Sequence, residues 1–388
     1  MQRTRFNAIV SAVLKRHPRL SDILFTAGTS VQAEVDGELR PVRLRGLEVL
    51  GPEDARAVAE CLLGDNLAQR RLLAERGSCD FSLSLPDNAR FRVNVFRQRG
   101  NLAVVMRRLP ERIPGLEELG LPTVFNEIAR EQNGLALITG GTGTGKSHSL
   151  AALVDAINAQ RAVHVVTLED PVEFAHVHKR GVVSQRELLT DFDSFASGLR
   201  AALRQAPKVI VVGEIRDRET MEIVLQAAGT GHLVLATLHT RDAGATINRI
   251  LGLFETQEER LVRMQLAGCL RCIVSQRLLP RVGGGRVPAF EILRNTLGVR
   301  ELVLQGEQED RNFYSLLEQG GPHGMNTFDQ SLFGLYEQGM ISEETALLSA
   351  GDRSRLVRMI DRLKTGRGET VSDLRLSGLE EDLDADLR

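Results

Sequence analysis

Residues 135–149 read LALITGGTGTGKSHS. The opening five are apolar or β-branched and suit a buried strand. Four glycines follow between Gly140 and Gly145, and then Lys146 and Ser147 open a helical pattern. Gly140, Gly145, Lys146 and Ser147 match G-x-x-x-x-G-K-[ST], placed between a strand and a helix as the chemistry requires. Glycines let backbone N–H groups wrap a β-phosphate, and the helix N-terminus adds its positive end. The loop residues Gly141, Thr142, Gly143 and Thr144, with His148 just beyond, complete the predicted phosphate cradle. Lys146 is placed to reach the β- and γ-phosphates of ATP, and the Ser147 hydroxyl to coordinate Mg²⁺.

A phosphate loop gives meaning to what surrounds it. After residue 122 strand-like runs alternate with helical ones: VHVVTL, VIVVG and LVLATL, with helices around 193–205 and from 219. That alternation predicts a parallel sheet covered on both faces, an α/β fold. Ligands of such sheets bind beyond the carboxyl ends of the strands. VIVVGEIRD (209–217) delivers Glu214 there, as a metal-holding or water-orienting carboxylate. VTLEDPVEFAH (166–176) delivers Glu169 and Asp170, stopped by Pro171; Glu169 is the expected catalytic group, and one of the two is equally readable as a turn cap. GHLVLATLHT (231–240) is bracketed by histidines about 23 Å apart along an extended strand, too far to share a metal. His239 sits at the carboxyl end, facing a γ-phosphate, and His232 at the other, where a structural role or a subunit contact fits better.

The first 109 residues have another character. A helical amphipathic start, a hairpin over 30–42 turning at Asp36-Gly37, and helices at 53–63 and 66–76 precede a second ribbon. In it Phe81, Leu83 and Leu85 alternate, and so do Phe91, Val93 and Val95 after a Pro86-Asp87-Asn88 turn. Arg90, Arg92 and Asn94 occupy the opposite face, which reads as a basic surface. This predicts a small α+β domain over 1–109, a proline-rich linker over 110–122, and an ATPase domain with helical C-terminal elements over 123–366. A hairpin is expected over 275–293, and 367–388 is expected to be a disordered acidic tail.

Composition narrows the class. The chain has 388 residues, 42 % hydrophobic and 26 % charged, ordinary for a soluble protein, and a net charge of -2 that disfavours a nucleic-acid binder. No apolar run nears the ~20 residues that cross a bilayer. Among four cysteines, Cys269 and Cys272 form a C-x-x-C with no second ligand pair, so they read as small apolar residues on one packed helix. A reduced, cytoplasmic protein is expected.

Arginines are needed too, because phosphoryl transfer gains a factor of about 10³–10⁵ from one placed on the transition state. Arg200 and Arg204 are four apart, on one helical face, and a solvated surface is as simple a reading. Arg92 and Arg107 lie far along the chain from the phosphate loop, so contact with nucleotide would come from a neighbouring subunit; a surface basic patch fits the spacing equally well.

GGTGTGKS, TLEDPVEFAH, VIVVGEIRDRETME and TGHLVLATLHT resemble, in order and spacing, the Walker A, Asp, Walker B and His boxes of secretion ATPases. With SDILFTAG, RFRVNVF and MNTFDQSLFGLYEQGMISEETAL, the chain from about residue 20 to 350 resembles the type IV pilus retraction (twitching motility) ATPases, the PilT/PilU family. The resemblance implies a PAS-like N-terminal domain, a RecA-like ATPase domain and a homohexameric ring. It also implies ATP and Mg²⁺ as ligands and an inner-membrane pilus platform protein as partner, with a paralogous retraction ATPase as a further one. The chain would then sit in the cytoplasm, peripheral to the inner membrane. It carries the catalytic role onto Glu214 with Glu169 as its partner, and trans-acting arginines onto Arg92 and Arg107. Three departures stand out: His148 in place of a threonine, RQAPK in place of an acidic stretch, and GVRELV (298–303) in the retraction-specific segment.

Pilus-extension and type II secretion ATPases share the four boxes but carry a longer N-terminal region and a tetracysteine zinc insert, which this sequence does not show. An accessory nucleotide-binding ring with little turnover is the other alternative; paired carboxylates at 169 and 214 argue against it.

Overall fold

The computed structural model describes residues 1–44, 48–308 and 311–368. The acidic tail expected over 367–388 therefore lies almost wholly outside the described residues.

Two sheets divide the chain. The first holds β1 (Leu20–Phe25), β2 (Val31–Val35), β3 (Glu38–Val42), β4 (Ser78–Ser84), β5 (Arg90–Gln98) and β6 (Asn101–Arg108), in the order β3-β2-β1-β6-β5-β4. Every neighbouring pair is antiparallel. One face buries Ile23, Phe91, Val93 and Met106 against α1 (Arg3–Arg16), α2 (Pro52–Leu63) and α3 (Leu67–Arg76). Period-2 alternation supplies that face: on β5 the inward Phe91 and Val93 are each followed by a polar residue, Arg92 and Asn94. The hairpin at Asp36-Gly37 and both helices stand where the sequence predicts them.

The second sheet holds β7 (Gly134–Thr139), β8 (His164–Glu169), β9 (Val182–Glu187), β10 (Val209–Val212), β11 (Leu233–Leu238), β12 (Leu270–Pro280) and β13 (Arg286–Arg294). Their order is β13-β12-β7-β11-β10-β8-β9, parallel throughout except for the edge strand β13. Alternate residues of β7 feed two cores: Leu135 and Leu137 on one side, Ala136 and Ile138 on the other. The first core packs under α6 (Phe195–Ala202), α7 (Arg218–Gly229), α8 (Ala243–Leu251), α9 (Glu259–Cys269), α10 (Leu297–Gln305) and α11 (Phe313–Gln319). The second packs under α4 (Val124–Arg130) and α5 (Lys146–Gln160). Three more helices, α12 (Phe328–Glu337), α13 (Glu343–Leu348) and α14 (Arg353–Arg367), enclose a smaller core against the β12–β13 hairpin. A strand apolar on both faces is what a doubly covered parallel sheet demands. The expected mixed α/β fold is present.

Two expectations need correction. The C-x-x-C does not lie on one helix: α9 ends at Cys269, and Cys272 belongs to β12. A short apolar run is compatible with either period, and pairing with β7 decides it as a strand. Burial pushes the Cys269 thiol up to about 11 and the Cys272 thiol up to about 12, so neither offers a thiolate at neutral pH. The β5 face with Arg90, Arg92 and Asn94 is also no free basic surface. Arg90 is buried against the second domain, and Asn94 donates to Asp80.

Glu291 on β13 is 5 % exposed and accepts from the backbone N–H of Ala243, the first residue of α8. Burial pushes its carboxyl up to about 7; Asp242 adds to this, and the Ala243 N–H opposes it. The folded pKa lies above the unfolded one, so the protonated form stabilises the fold. That contribution is complete below about 4.5 and is lost as pH rises through about 7. Glu291→Gln is expected to flatten the decline in urea midpoint between those pH values, removing up to about 3 kcal/mol of pH dependence. An unchanged slope would mean that the group is ionised in the fold.

Candidate nucleotide site

Carboxyl ends of β7, β8, β10 and β11 share one edge of the sheet, and a cavity of about 890 Å³ opens there. The phosphate loop forms its floor. Gly140 has φ +147°, and a Cβ there would lie 2.4 Å from the Gln276 carbonyl oxygen and 2.7 Å from the Thr144 hydroxyl, so no side chain fits. Lys146, 9 % exposed, donates to the carbonyls of Gly140 at 2.8 Å and Gly141 at 2.7 Å, which pins its ammonium across the loop. Burial pulls the Lys146 pKa down, while the carboxylates of Glu214 and Glu173 hold it up. The Thr144 hydroxyl closes the loop onto Gly141. Thr142, Gly143, Gly145, Ser147 and His148 line the cavity, and His148 stacks edge-on against Phe174 at 4.9 Å.

Glu214 follows β10 after Gly213, whose position is tight: a Cβ would sit 3.0 Å from the Leu168 carbonyl and 3.4 Å from the Glu169 Cα. Glycine thus brings the Glu214 strand end against the Glu169 strand end. The Glu214 carboxylate, on a side chain 14 % exposed, pairs with Arg216 and lies 3.3 Å from His239 Nε2. Glu169 accepts from the Thr167 hydroxyl at 2.6 Å and from Gln185 Nε2 at 3.0 Å. Burial pushes its carboxyl above the ordinary range, against the pull of those two bonds and of the Arg90 charge. Asp170 is likewise raised by burial, with Arg216 opposing. The two carboxyls meet different surroundings: Glu169 is raised by burial, and Glu214 is paired with a guanidinium.

Arg92 lines this cavity from its own chain, with its Nε 3.6 Å from Asp80. Four other expected residues are not brought to the cavity. Arg107 pairs with Asp22 on β1 at 3.0 Å. Arg200 pairs with Glu219 at 2.7 Å, and Arg204, already beyond α6, donates to the Arg200 carbonyl. His232 stands at the amino end of β11 and meets the Ala227 carbonyl.

Sequence reasoning missed other parts. Arg216 touches both Glu214 and Asp170. Gln276 on β12 donates to the Thr144 carbonyl at 2.8 Å and accepts from Ser149 at 2.8 Å, bracing the phosphate loop. A polar Ser275-Gln276 pair directly after the apolar run Cys272-Ile273-Val274 was the available signal. β9, with Gln185 and Glu187, was not anticipated.

A hard cation such as Mg²⁺ takes one or two protein oxygens plus substrate phosphates, not a cage of protein ligands. That fits this cavity: Ser147 and Glu214 line it, and the described residues contain no cluster of three metal-holding side chains.

The family model described as "Type II/IV secretion system protein" matches residues 5–322. The chain belongs to that family. PilT of Pseudomonas aeruginosa, a type IV pilus retraction ATPase, is 41 % identical over 326 residues, 84 % of this chain and 93 % of the relative. PilU of the same organism, a type IV pilus ATPase, is 41 % identical over 342 residues, 88 % of this chain and 87 % of the relative. A crystal structure of the pilus retraction motor PilT with bound ADP superposes with TM-score 0.79 at 41 % identity, covering 89 % of this chain and 98 % of that one. For the secretion-family member described here, the identity to both pilus ATPases means that the phosphate loop belongs to a nucleotide-binding enzyme rather than to a glycine-rich turn. No helix among the described residues is long and apolar enough to cross a membrane.

Proposed function

We propose that this chain is an ATP-hydrolysing motor subunit that assembles into a homohexameric ring and drives type IV pilus retraction, and with it twitching motility. One observation carries the reading: a single cavity collects Lys146, Ser147, Glu169, Glu214 and His239 from four strand ends, and Arg92 from the other domain. The loop amides and Lys146 would hold the phosphates. Ser147 and Glu214 would hold Mg²⁺, which when bound would neutralise phosphate charge. Glu169, fixed by Thr167 and Gln185 and raised by burial, is suited to orient the attacking water and take its proton. His239, beside Glu214, is placed to register the γ-phosphate, and Arg92 to meet charge developing on it. An inner-membrane pilus platform protein is the proposed partner, with the ring working from the cytoplasmic side. Identity of 41 % to both PilT and PilU makes main and accessory motor two forms of one proposal. Restoration of twitching by this chain alone, in a strain lacking its retraction ATPases, separates them.

The direct test is ATP turnover per subunit across protein concentration. Activity is expected to climb as rings assemble, and Arg92→Ala is expected to lower the plateau about 10³-fold. Weak turnover that ignores both concentration and Arg92 would overturn the motor reading in favour of a nucleotide-controlled accessory subunit.

A further inference from the structure

The Glu169 loop is held from both sides by residues outside the catalytic set. Val172 is gripped at both ends of its backbone: its N–H donates to Glu187 at 3.1 Å, and its carbonyl accepts from Arg90 at 2.6 Å. Arg90 also donates to the Glu173 carbonyl at 3.0 Å, so its guanidinium fork spans two successive peptides. The second oxygen of Glu187 accepts from the Ser82 N–H at 2.9 Å, on the N-terminal sheet. Arg90 and Glu187 are 9 % and 5 % exposed, so both act where water competes little.

Register ties this contact to the cleft. Ser82 pairs with Arg92 across β4 and β5, and Arg90 precedes Arg92 by two residues on the same face. On the other side Glu187 lies opposite Glu169 in the β8–β9 ladder. Gln185, two residues earlier on β9, bonds Glu169, the Phe174 carbonyl and the His176 N–H.

We infer that Arg90 and Glu187 are positioning residues, a clasp that seats the β4–β5 ribbon on the 171–176 loop and so aligns Arg92 and Glu169 in one cleft. The inference rests on the proposed reading only in taking Glu169 and Arg92 to act on the nucleotide. It makes hydrolysis conditional on the N-terminal domain being docked on its own chain.

Steady-state ATPase kinetics of the full chain test it, together with binding of a fluorescent ADP analogue. Arg90→Ala is expected to lower kcat about 10²-fold through misplacement alone, with KM and analogue affinity nearly unchanged. Arg90→Lys, which keeps one charged donor, should recover part of the loss. Glu187→Gln leaves one of the two N–H groups facing an amide donor and is expected to cost about 10-fold; it carries the test if Arg90→Ala does not fold. In a background lacking both groups that the clasp aligns, Glu169→Gln with Arg92→Ala, Arg90→Ala should add little. Losses that multiply independently, or a fall in analogue affinity matching the fall in kcat, would overturn the clasp. So would full turnover in Arg90→Ala and Glu187→Gln beside an inactive Glu169→Gln. Full turnover in Glu169→Gln would instead overturn the reading on which the clasp rests.

Discussion

Lys146→Ala is expected to abolish measurable turnover and to weaken nucleotide binding as well. The ammonium is nearly buried and is anchored by the Gly140 and Gly141 carbonyls at the mouth of α5, so its position is set before any phosphate arrives. Preorganised charge of this kind contributes about 10²–10³ to kcat when it meets charge developing in the transition state. A hydrogen bond from a charged group is worth about 1.5–3 kcal/mol, so affinity for ADP should fall by about 10- to 10²-fold too. Titration with a fluorescent ADP analogue, run beside a coupled turnover assay, separates the two losses. Turnover within about tenfold of the unaltered chain would mean that Lys146 does not reach the phosphates.

Glu214→Gln should behave differently. The amide keeps the shape of the side chain, so analogue binding is expected to survive while kcat falls about 10²–10⁴-fold. Its carboxylate meets both Arg216 and His239, and losing the charge weakens the Arg216 pair at the strand end. Single-turnover measurements with saturating ATP would locate the loss in the chemical step. Normal single-turnover rates would leave Glu169 as the sole carboxylate in the chemistry and reduce Glu214 to a strand-end contact.

How much of this was readable beforehand depends on the kind of signal. Glu214, Glu169 and His239 were legible because each punctuates an apolar strand, and strand ends of a parallel sheet share one edge. Arg90 was misread for a specific reason. Alternation along β5 says that Arg90 faces away from its own core, and it cannot say that a second domain covers that face. The same limit applies to Arg200 and Arg204, whose spacing suggests a shared face but not what the face meets. β9 escaped because Val182–Glu187 carries polar residues on the face that receives the Glu169 loop, so no apolar run marks it. Arg216 lies two residues from Glu214, where it reads as part of a strand-ending motif rather than as a partner.

Gln276 has a mechanical consequence. Its side chain joins the Thr144 carbonyl and Ser149 to β12, and β12 continues into the hairpin whose second strand supports α12. Arg277, the next residue, donates to the Ser349 carbonyl beyond α13. Strain applied to the last three helices is therefore delivered, over one strand and two neutral hydrogen bonds of about 0.5–1.5 kcal/mol each, to the loop that grips phosphate. Gln276 therefore behaves as a joint: Gln276→Ala is expected to loosen ADP binding although its side chain reaches the loop and not the phosphates.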